Sequence, residues 1–388
     1  MSTMSQISLV RPKLPSGGAS IFSVMTHLAN EVGAINLSQG FPDFDCSPDL
    51  VEAAARHMRG GHNQYAPMPG VLTLREALAL KIERLYGRRY DPATEITVTT
   101  GATEGLFASI MALVHPGDEV LLFQPAYDSY TPAVELSGGI PVYATLRYPD
   151  FRIDWDEVRR KVSPRTRAIV TNSPHNPTGM VWTADDIAEL GRILQGTDAV
   201  VIADEVYEHV LYDGARHESL ARYPELAERA VVISSFAKTY HTTGWKVGYC
   251  AAPAALTSEI RGVHQWITFA VNTPIQMAYA DLVRHDPDCL DVTAFYQSRR
   301  DAFRSLIEGS RFRPLPCQGT FFQMLDYSAI TDEGDAEFAL RLTREHGVAA
   351  IPTSPFLYGG ERGGPVLRFC FAKRDTTLER AAERLQGV

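Results

Sequence analysis

The sequence predicts an α/β protein built on a mainly parallel sheet, because short apolar runs alternate with helix-like stretches through the middle of the chain. Several of these runs are almost continuously apolar, as in strands that helices cover on both faces. The candidate strands are 95–100, 119–123, 168–172, 199–204, 230–235 and 246–252. Helical patterns over 103–114 and 183–195 separate them, and Thr183 is suited to cap the second. The alternation favours repeated βαβ units.

After about residue 285 the pattern changes. A polar helix is predicted near 294–307 and another near 336–346, with the apolar runs FFQMLD and VLRFCFA around the second. A chain of 388 residues is also long for one core. We therefore expect a smaller α+β unit at the C-terminus. The Gly- and Pro-rich stretches 11–18 and 359–365 are predicted to be loops rather than linkers.

Composition and charge limit the function. The net charge is −9, and an acidic surface repels nucleic-acid phosphates and anionic lipids. No apolar stretch approaches the ~20 residues that span a bilayer, and the first residues lack the apolar run of a signal peptide. The five scattered cysteines form no C-x-x-C pair, which argues against disulfides and a zinc site. We expect a cytoplasmic protein without a metal.

One lysine stands out in the segment SSFAKTYHTTGWKVGY, residues 234–249. Lys238 follows an apolar run and lies among small and hydroxyl residues, where partial desolvation would lower its pKa and make its amine a nucleophile. A solvated loop lysine is the alternative. Considered alone, Lys238 would be assigned to that alternative.

Two further charged residues lie at or within predicted strands. Asp204 ends the run AVVIAD, where ligands of open α/β sheets bind, and its carboxylate can pair with a protonated ring nitrogen. The alternative is an N-cap for a helix over EVYEHV. Arg368 interrupts the run VLRFCFA, and its planar fork suits a substrate carboxylate. A structural ion pair is its alternative.

Other residues favour an anionic ligand. Gly101, Ala102 and Thr103 join a strand to a helix, a junction whose N–H groups attract phosphate, although such turns are common without one. Ser235 and Lys246 flank Lys238 and can add a hydroxyl and a cation. Asn176 (in NPTG) and Tyr207 can donate to a ring oxygen; a simple turn and a core tyrosine are the alternatives.

Taken together, N-P-T-G, D-E-V-Y, S-x-x-K with a downstream basic residue, and R-F resemble the class I aminotransferases of the aspartate aminotransferase fold, over nearly the whole chain. SQGFPDF (38–44), NQYAPMPG (63–70) and KTYHTTGWKVGY (238–249) are similar to the branch with methionine aminotransferases and kynurenine/glutamine transaminases. The resemblance implies pyridoxal 5′-phosphate as cofactor. It also implies a homodimer with shared active sites that transfers an amino group between an amino acid and a 2-oxo acid by a ping-pong mechanism.

The implied fold has a seven-stranded sheet in a large domain, over 47–285. A small domain combines 286–388 with part of the N-terminal arm, 1–46. Lys238 would hold the cofactor and move the substrate proton, Asp204 would pair with the ring nitrogen, and Tyr127 would stack on the ring. Asn176 and Tyr207 would hydrogen-bond the ring oxygen. The phosphate would be held by Gly101, Ala102, Thr103, Ser235, Lys246 and the partner's Tyr65. The substrate carboxylate would be bound by Arg368, Gly40 and Asn176.

Two departures from the family pattern concern the cofactor. Lys246 stands where arginine is frequent, which keeps the charge and loses the fork. Tyr127 stands where tryptophan or phenylalanine often stacks.

The substrate side chain is predicted from the aromatic residues of the motifs. Phe22, Phe41, Tyr65 and the aromatics of HQWITFAV (264–271) would form an apolar wall, without a second arginine. We therefore expect methionine or aromatic amino acids as donors, although any one of these aromatics is as readily a core residue.

Three competing interpretations are considered. A C–S β-lyase or a kynurenine/glutamine transaminase of the same fold would share every residue above. A transcription regulator with an aminotransferase-like domain would carry a basic helix-turn-helix segment before it, and the first forty residues are not basic. An unrelated α/β enzyme finds no support in a G-x-G-x-x-G, Walker A or G-x-S-x-G motif.

Overall fold

A computed structural model describes residues 13–14, 19–285, 290–361 and 363–388, so the predicted loop at 11–18 lies mostly outside the described residues. The strands are β1 (Ile35–Asn36), β2 (Ile96–Thr99), β3 (Glu119–Gln124), β4 (Ile140–Thr145), β5 (Thr166–Asn172), β6 (Val200–Asp204), β7 (Ala230–Ser235), β8 (Gly248–Ala251), β9 (Arg313–Pro314), β10 (Phe322–Asp326), β11 (Val348–Ala349), β12 (Ile351–Pro352) and β13 (Val366–Cys370). The helices are α1 (Ile21–Val32), α2 (Pro48–Arg59), α3 (Leu72–Tyr86), α4 (Gly101–Leu113), α5 (Tyr130–Leu136), α6 (Trp155–Lys161), α7 (Ala184–Leu194), α8 (Pro224–Ala227), α9 (Phe236–Thr239), α10 (Ala254–Ile267), α11 (Thr273–His285), α12 (Leu290–Leu306), α13 (Asp335–Glu345) and α14 (Asp375–Gln386).

Seven strands form the large sheet, in the order β2-β8-β7-β6-β5-β3-β4. Strands β3 to β7 pair in parallel, whereas β8 runs antiparallel to both of its neighbours. Every residue of β3, β6 and β7 is buried, which explains why these strands read as continuous apolar runs. The prediction of a mainly parallel, seven-stranded α/β sheet is confirmed.

All six predicted strands form, but one boundary is wrong. The run predicted from Lys246 becomes a strand only at Gly248, because a 3-10 turn at Thr243–Trp245 precedes it. Lys246 then adopts a left-handed conformation with φ 53°, which no strand residue can have. The predicted cap of the helix at 183–195 is confirmed, since Thr183 and Asp186 form a reciprocal capping box.

A second sheet of four antiparallel strands has the order β12-β13-β10-β9. Beside it, β1 from the N-terminal part of the chain pairs in parallel with β11 from the C-terminal part. The helices α12 and α13 lie where the sequence predicts them, within a few residues. The α+β character of this region is therefore confirmed, and the division of the chain at residues 46 and 285 stays a prediction.

The carboxyl ends of the parallel strands converge at one edge of the large sheet. Asn172 ends β5 opposite Asp204, which ends β6, and Ser235 ends the next strand, β7. Helix α4 begins immediately after β2, so its N-terminus lies at the same edge. The segment after Asp204 forms turns rather than a helix, so the N-cap interpretation of Asp204 is wrong. Across the described ranges, no helix is long and apolar enough to cross a membrane.

Candidate active site

A cavity of about 330 Å³ opens at this edge of the large sheet and reaches the small sheet. All residues predicted for the site line it except Tyr65. They are Phe22, Gly40, Gly101, Ala102, Thr103, Tyr127, Asn176, Asp204, Tyr207, Ser235, Lys238, Lys246 and Arg368. These residues come from positions spread over the chain, so the fold, and not any local motif, assembles the cavity.

Lys238 lies in the four-residue helix α9, whose N-cap Ser235 accepts a hydrogen bond from the amide of Ala237 at 3.2 Å. Its Nζ donates to the carbonyl oxygen of Gly40 at 3.4 Å and lies 5.8 Å from the centroid of the Tyr207 ring. Burial lowers the pKa of Lys238 to about 8, against the opposing attraction of acidic groups that include Asp204. The solvated-loop interpretation is wrong, and near neutral pH part of the population carries a nucleophilic amine.

The Asp204 carboxylate is buried and accepts two hydrogen bonds. The Tyr130 hydroxyl donates to its Oδ2 at 2.6 Å, and the Val206 amide donates to its Oδ1 at 3.3 Å. Burial raises the pKa of Asp204 to about 6, and these two bonds together with Lys238 oppose the rise. Asp204 is therefore a buried carboxylate that is mainly ionised at neutral pH.

Arg368 projects from β13 and is 1% exposed. Its Nη1 donates to Oδ1 of Asn176 and its Nη2 to the carbonyl oxygen of Ser38, both at 2.9 Å. Its Nε is buried and has no hydrogen-bond partner, and no ion pair involves Arg368 among the described residues, so the structural ion-pair interpretation is wrong. Burial lowers the pKa of Arg368 to about 10, which leaves the side chain charged at neutral pH.

Aromatic rings enclose the Arg368 guanidinium. Its central carbon lies 3.9 Å from the centroid of the Phe322 ring and 5.1 Å from that of Phe22. Rings in this position stabilise a cation and exclude water from it. An ideal Cβ at Gly40 would lie 2.8 Å from the Phe322 ring, so the backbone passes closely over the same ring. The cavity therefore holds a desolvated cation whose Nε has no hydrogen-bond partner.

A second positive region lies at the N-terminus of α4. Gly101 has φ 70°, and Lys246 Nζ lies 3.5 Å from the Thr103 hydroxyl. The lining includes the cations Lys238, Lys246 and Arg368, but Asp204 is its only carboxylate among the described residues. In a chain of net charge −9, such a cavity selects an anionic ligand.

The Tyr207 residue lines the cavity and is 3% exposed, and its hydroxyl forms no hydrogen bond within the part of the chain that the structure describes. The interpretation of Tyr207 as a core tyrosine whose hydroxyl is hydrogen-bonded within the protein is therefore wrong. On Asn176, the side-chain oxygen accepts from Arg368 and the backbone amide donates to Asn172 at 2.8 Å. The NPTG segment is thus a turn, as expected, that also presents an amide group to the cavity.

Several aromatics expected to line the substrate pocket lie elsewhere. Tyr65 is 84% exposed and packs edge-on against Phe269, with 5.5 Å between ring centroids. Trp266, near the end of α10, is 83% exposed. None of these three lines the cavity of its own chain, so the expectation that the aromatics of 264–271 line a substrate pocket stays a prediction that depends on a second copy. Trp266 lies on the exposed side of α10 and Phe269 follows the helix, whereas His264 of the same segment is fully buried.

Sequence reasoning missed other lining residues. Tyr130 follows Tyr127 by three positions, and the two rings pack edge-on at 5.7 Å, a spacing that could have suggested it. Phe322 carries no such signal, whereas Gln39 lies within the motif SQGFPDF. Phe322 enters from β10, and Gln39 Nε2 donates to the Phe22 carbonyl at 3.1 Å, which fixes α1 beside the cavity.

The fold and this cavity define a class of enzyme that comparisons with known proteins identify. Residues 32–385 match the family described as aminotransferase class I and II. Methionine aminotransferase from Escherichia coli is 52% identical over 97% of this chain and 97% of its own length. A probable N-succinyldiaminopimelate aminotransferase from Mycobacterium tuberculosis is 41% identical over 98% of this chain and 97% of its own length.

A solved structure agrees with these relatives. The crystal structure of an Escherichia coli protein with a methionine aminotransferase function matches with a TM-score of 0.96 and 51% identity, over 98% of this chain and 100% of that one. The chain belongs to the class I and II aminotransferases, and the predicted resemblance is confirmed.

Proposed function

We propose that this aminotransferase uses pyridoxal 5′-phosphate to move the amino group of methionine or an aromatic amino acid to a 2-oxo acid. The observation that carries the proposal is one cavity in which a buried lysine of lowered pKa, a buried carboxylate and a desolvated arginine occur together. A nucleophilic amine, a partner for a protonated ring and a site for a carboxylate are what this chemistry requires.

The residues present fit the cofactor. The charge of the lining suits two anionic groups, a phosphate and a carboxylate, and the Tyr207 hydroxyl, which forms no hydrogen bond among the described residues, can donate inside the cavity. Gly101, Ala102, Thr103, Ser235 and Lys246 would hold the phosphate. Asp204 would pair with the ring nitrogen, Tyr207 and Asn176 would donate to the ring oxygen, and Tyr127 would stack on the ring. When bound, the cofactor supplies a carbonyl that condenses with amines and a ring that accepts electron density.

The chain's own groups do the proton chemistry and the positioning. Lys238 is the base of the cavity, and its lowered pKa suits a group that takes a proton from the substrate Cα and returns it nearby. Arg368 binds the substrate carboxylate through its free Nε, while Asn176 and Gly40 hold the arginine and the lysine in place. In the proposed ping-pong exchange, the first 2-oxo acid leaves before the second enters.

The walls of the cavity favour a neutral donor side chain. Phe22, Phe41, Leu106 and Phe322 contribute apolar surface, and Lys238, Lys246 and Arg368 all have assigned partners in the proposal. No further cation lines the described part of the cavity to bind a second carboxylate. An apolar pocket of this kind fits a thioether or an aromatic ring. The named function of the relative at 52% identity supports the same choice, although the relative at 41% is named for another donor.

A homodimer with shared sites is part of the proposal, as is a cytoplasmic location. Tyr65, Trp266, Ile267 and Phe269 are all exposed, and Tyr65 touches Phe269. A group of large exposed apolar side chains is typical of an interface. Burial of this surface against a second copy would bring Tyr65 within reach of the neighbouring phosphate site.

The β-lyase and kynurenine/glutamine transaminase alternatives share the cavity and differ in the outcome. A β-lyase releases pyruvate and ammonia from a cysteine conjugate without any 2-oxo acid, whereas an aminotransferase needs an acceptor for turnover. We expect double-reciprocal plots for methionine and its acceptor to be parallel, and borohydride reduction to fix the cofactor on Lys238. Recovery of the fixed cofactor on another lysine, by peptide mapping, would contradict the assignment.

A further inference from the structure

A buried tyrosine contacts the carboxylate that is proposed to face the cofactor ring. Tyr130 is the first residue of α5 and is 3% exposed. Its hydroxyl donates to Asp204 Oδ2 at 2.6 Å, which is the length of a strong hydrogen bond to a charged acceptor. Tyr130 also lines the cavity, but its hydroxyl already has a partner, so it acts on Asp204 rather than on a ligand.

We propose that Tyr130 is a positioning residue that keeps the Asp204 carboxylate ionised and oriented toward the cavity. The inference rests on the proposed function, because the ionised carboxylate matters only when a protonated ring lies against it. The Tyr130 hydroxyl donates to Oδ2, and this hydrogen bond is stronger to the carboxylate than to the neutral carboxylic acid.

Few other groups can keep the Asp204 carboxylate ionised. Tyr130 and Tyr127 face it from the α5 region, Lys238 from α9, and Glu205 and Tyr207 from its own segment. Glu205 opposes ionisation, and Lys238 favours it as long as the lysine is charged. In the proposed function Lys238 would hold the cofactor, so its charge would not be a permanent support for the Asp204 carboxylate. The hydroxyl of Tyr130 and the amide of Val206 then remain as the neutral donors.

The chain contains a matched control for this interaction. The hydroxyl of Tyr86, also buried, donates to Oε2 of Glu208 at 2.6 Å. Lys81 and Ser234 also donate to Glu208, each at 2.7 Å. These partners outweigh burial and hold the pKa of Glu208 well below its usual range, so Glu208 stays ionised without the tyrosine. Glu208 does not line the cavity.

The test measures the affinity of pyridoxamine 5′-phosphate for the full chain freed of cofactor, between pH 5 and pH 8.5. This probe forms no covalent bond, so its affinity reports the contacts alone. Loss of one hydrogen bond to a charged group shifts the pKa of that group by about one unit or more. Tyr130→Phe is therefore expected to raise, by about one unit, the pH below which the affinity for the probe is lost. The variant should bind about threefold more weakly than the wild type near pH 6.5 and about tenfold more weakly near pH 5.

The controls separate positioning from general damage. Tyr86→Phe should leave unchanged the pH midpoint at which the affinity for the probe is lost, even where it lowers stability as much as Tyr130→Phe does. The probe phosphate titrates near pH 6 in every variant, so the difference between variants is the measured quantity. In an Asp204→Asn background, Tyr130→Phe should have no effect on the midpoint, because the two residues act as one unit. Tyr130→Leu, which also lacks the hydroxyl, serves where Tyr130→Phe does not fold.

Two outcomes would overturn the inference: an unchanged midpoint in Tyr130→Phe, or an equal shift in Tyr86→Phe. A wild-type chain that binds no pyridoxamine 5′-phosphate at any pH would instead contradict the proposed function itself. The two failures are therefore distinguishable.

Discussion

The Nη1 atom of Arg368 lies 2.9 Å from Oδ1 of Asn176, and this hydrogen bond joins the small sheet to the turn that follows β5 of the large sheet. It fixes the arginine while its Nε remains free. The two sheets thus meet at the proposed carboxylate site.

Replacement of Arg368 by lysine should lower kcat/KM for amino-acid donors by about 100-fold, because a point charge replaces a fork in a desolvated site. Most of the loss is expected in KM. Arg300→Lys is the control, since Arg300 forms a bidentate pair with Asp213 outside the cavity. Equal losses in the two variants would mean that Arg368 acts only through folding.

Removal of the Asp204 carboxylate should leave pyridoxal 5′-phosphate held by Lys238, although noncovalent binding weakens, but it should disable proton removal from the substrate. We expect Asp204→Ala to lose several powers of ten in the rate of the first half-reaction, or roughly 4–7 kcal/mol of transition-state stabilisation. Asp204→Glu keeps the charge and should retain more activity than the alanine variant. Near-normal turnover in Asp204→Ala would show that the residue has only a structural role.

The sequence allowed the residues of compact motifs to be predicted, and it failed where the fold alone brings residues together. Lys238, Asp204 and Asn176 follow strands whose apolar runs are easy to recognise, and the ends of parallel strands meet at one edge. Phe322 reaches the cavity from β10, far along the chain, without any local pattern. Trp266 and Phe269 lie at the surface of their own chain, and composition alone does not show whether a second copy covers them.

A dimer with shared sites can be tested by subunit mixing. Tyr65→Phe removes a phosphate ligand and Lys238→Ala removes the cofactor lysine, so each variant alone should be impaired. Mixed dimers should regain sites with one intact Tyr65 and one intact Lys238, up to about a quarter of the wild-type activity, since half of the dimers are mixed and each has one complete site. Trp266→Asp should weaken the dimer, whereas Val32→Asp, at an exposed position in α1, should not. A fully active monomer in sedimentation would refute the arrangement.

The lowered pKa of Lys238 predicts a pH dependence of stability in the chain freed of cofactor. Folding shifts this pKa from 10.5 to about 8, so between these values the unfolded chain holds a proton that the native chain lacks. The contribution of Lys238 to the free energy of unfolding therefore rises with pH from about 8 to 10.5, by about 3 kcal/mol at most. Denaturant titrations of the wild type and Lys238→Met should differ by this rise. A constant difference across the range would contradict the buried, uncharged lysine.

The central claim is that the chain is an aminotransferase for neutral, apolar donors, and competing donors test it most directly. The measurement is kcat/KM for methionine, phenylalanine, kynurenine, glutamine and aspartate with one common 2-oxo acid acceptor. Methionine and phenylalanine should exceed aspartate, because the described cavity lining offers no cation for a second carboxylate. Aspartate ahead of both would require a further cation in the site and would contradict this account of the pocket.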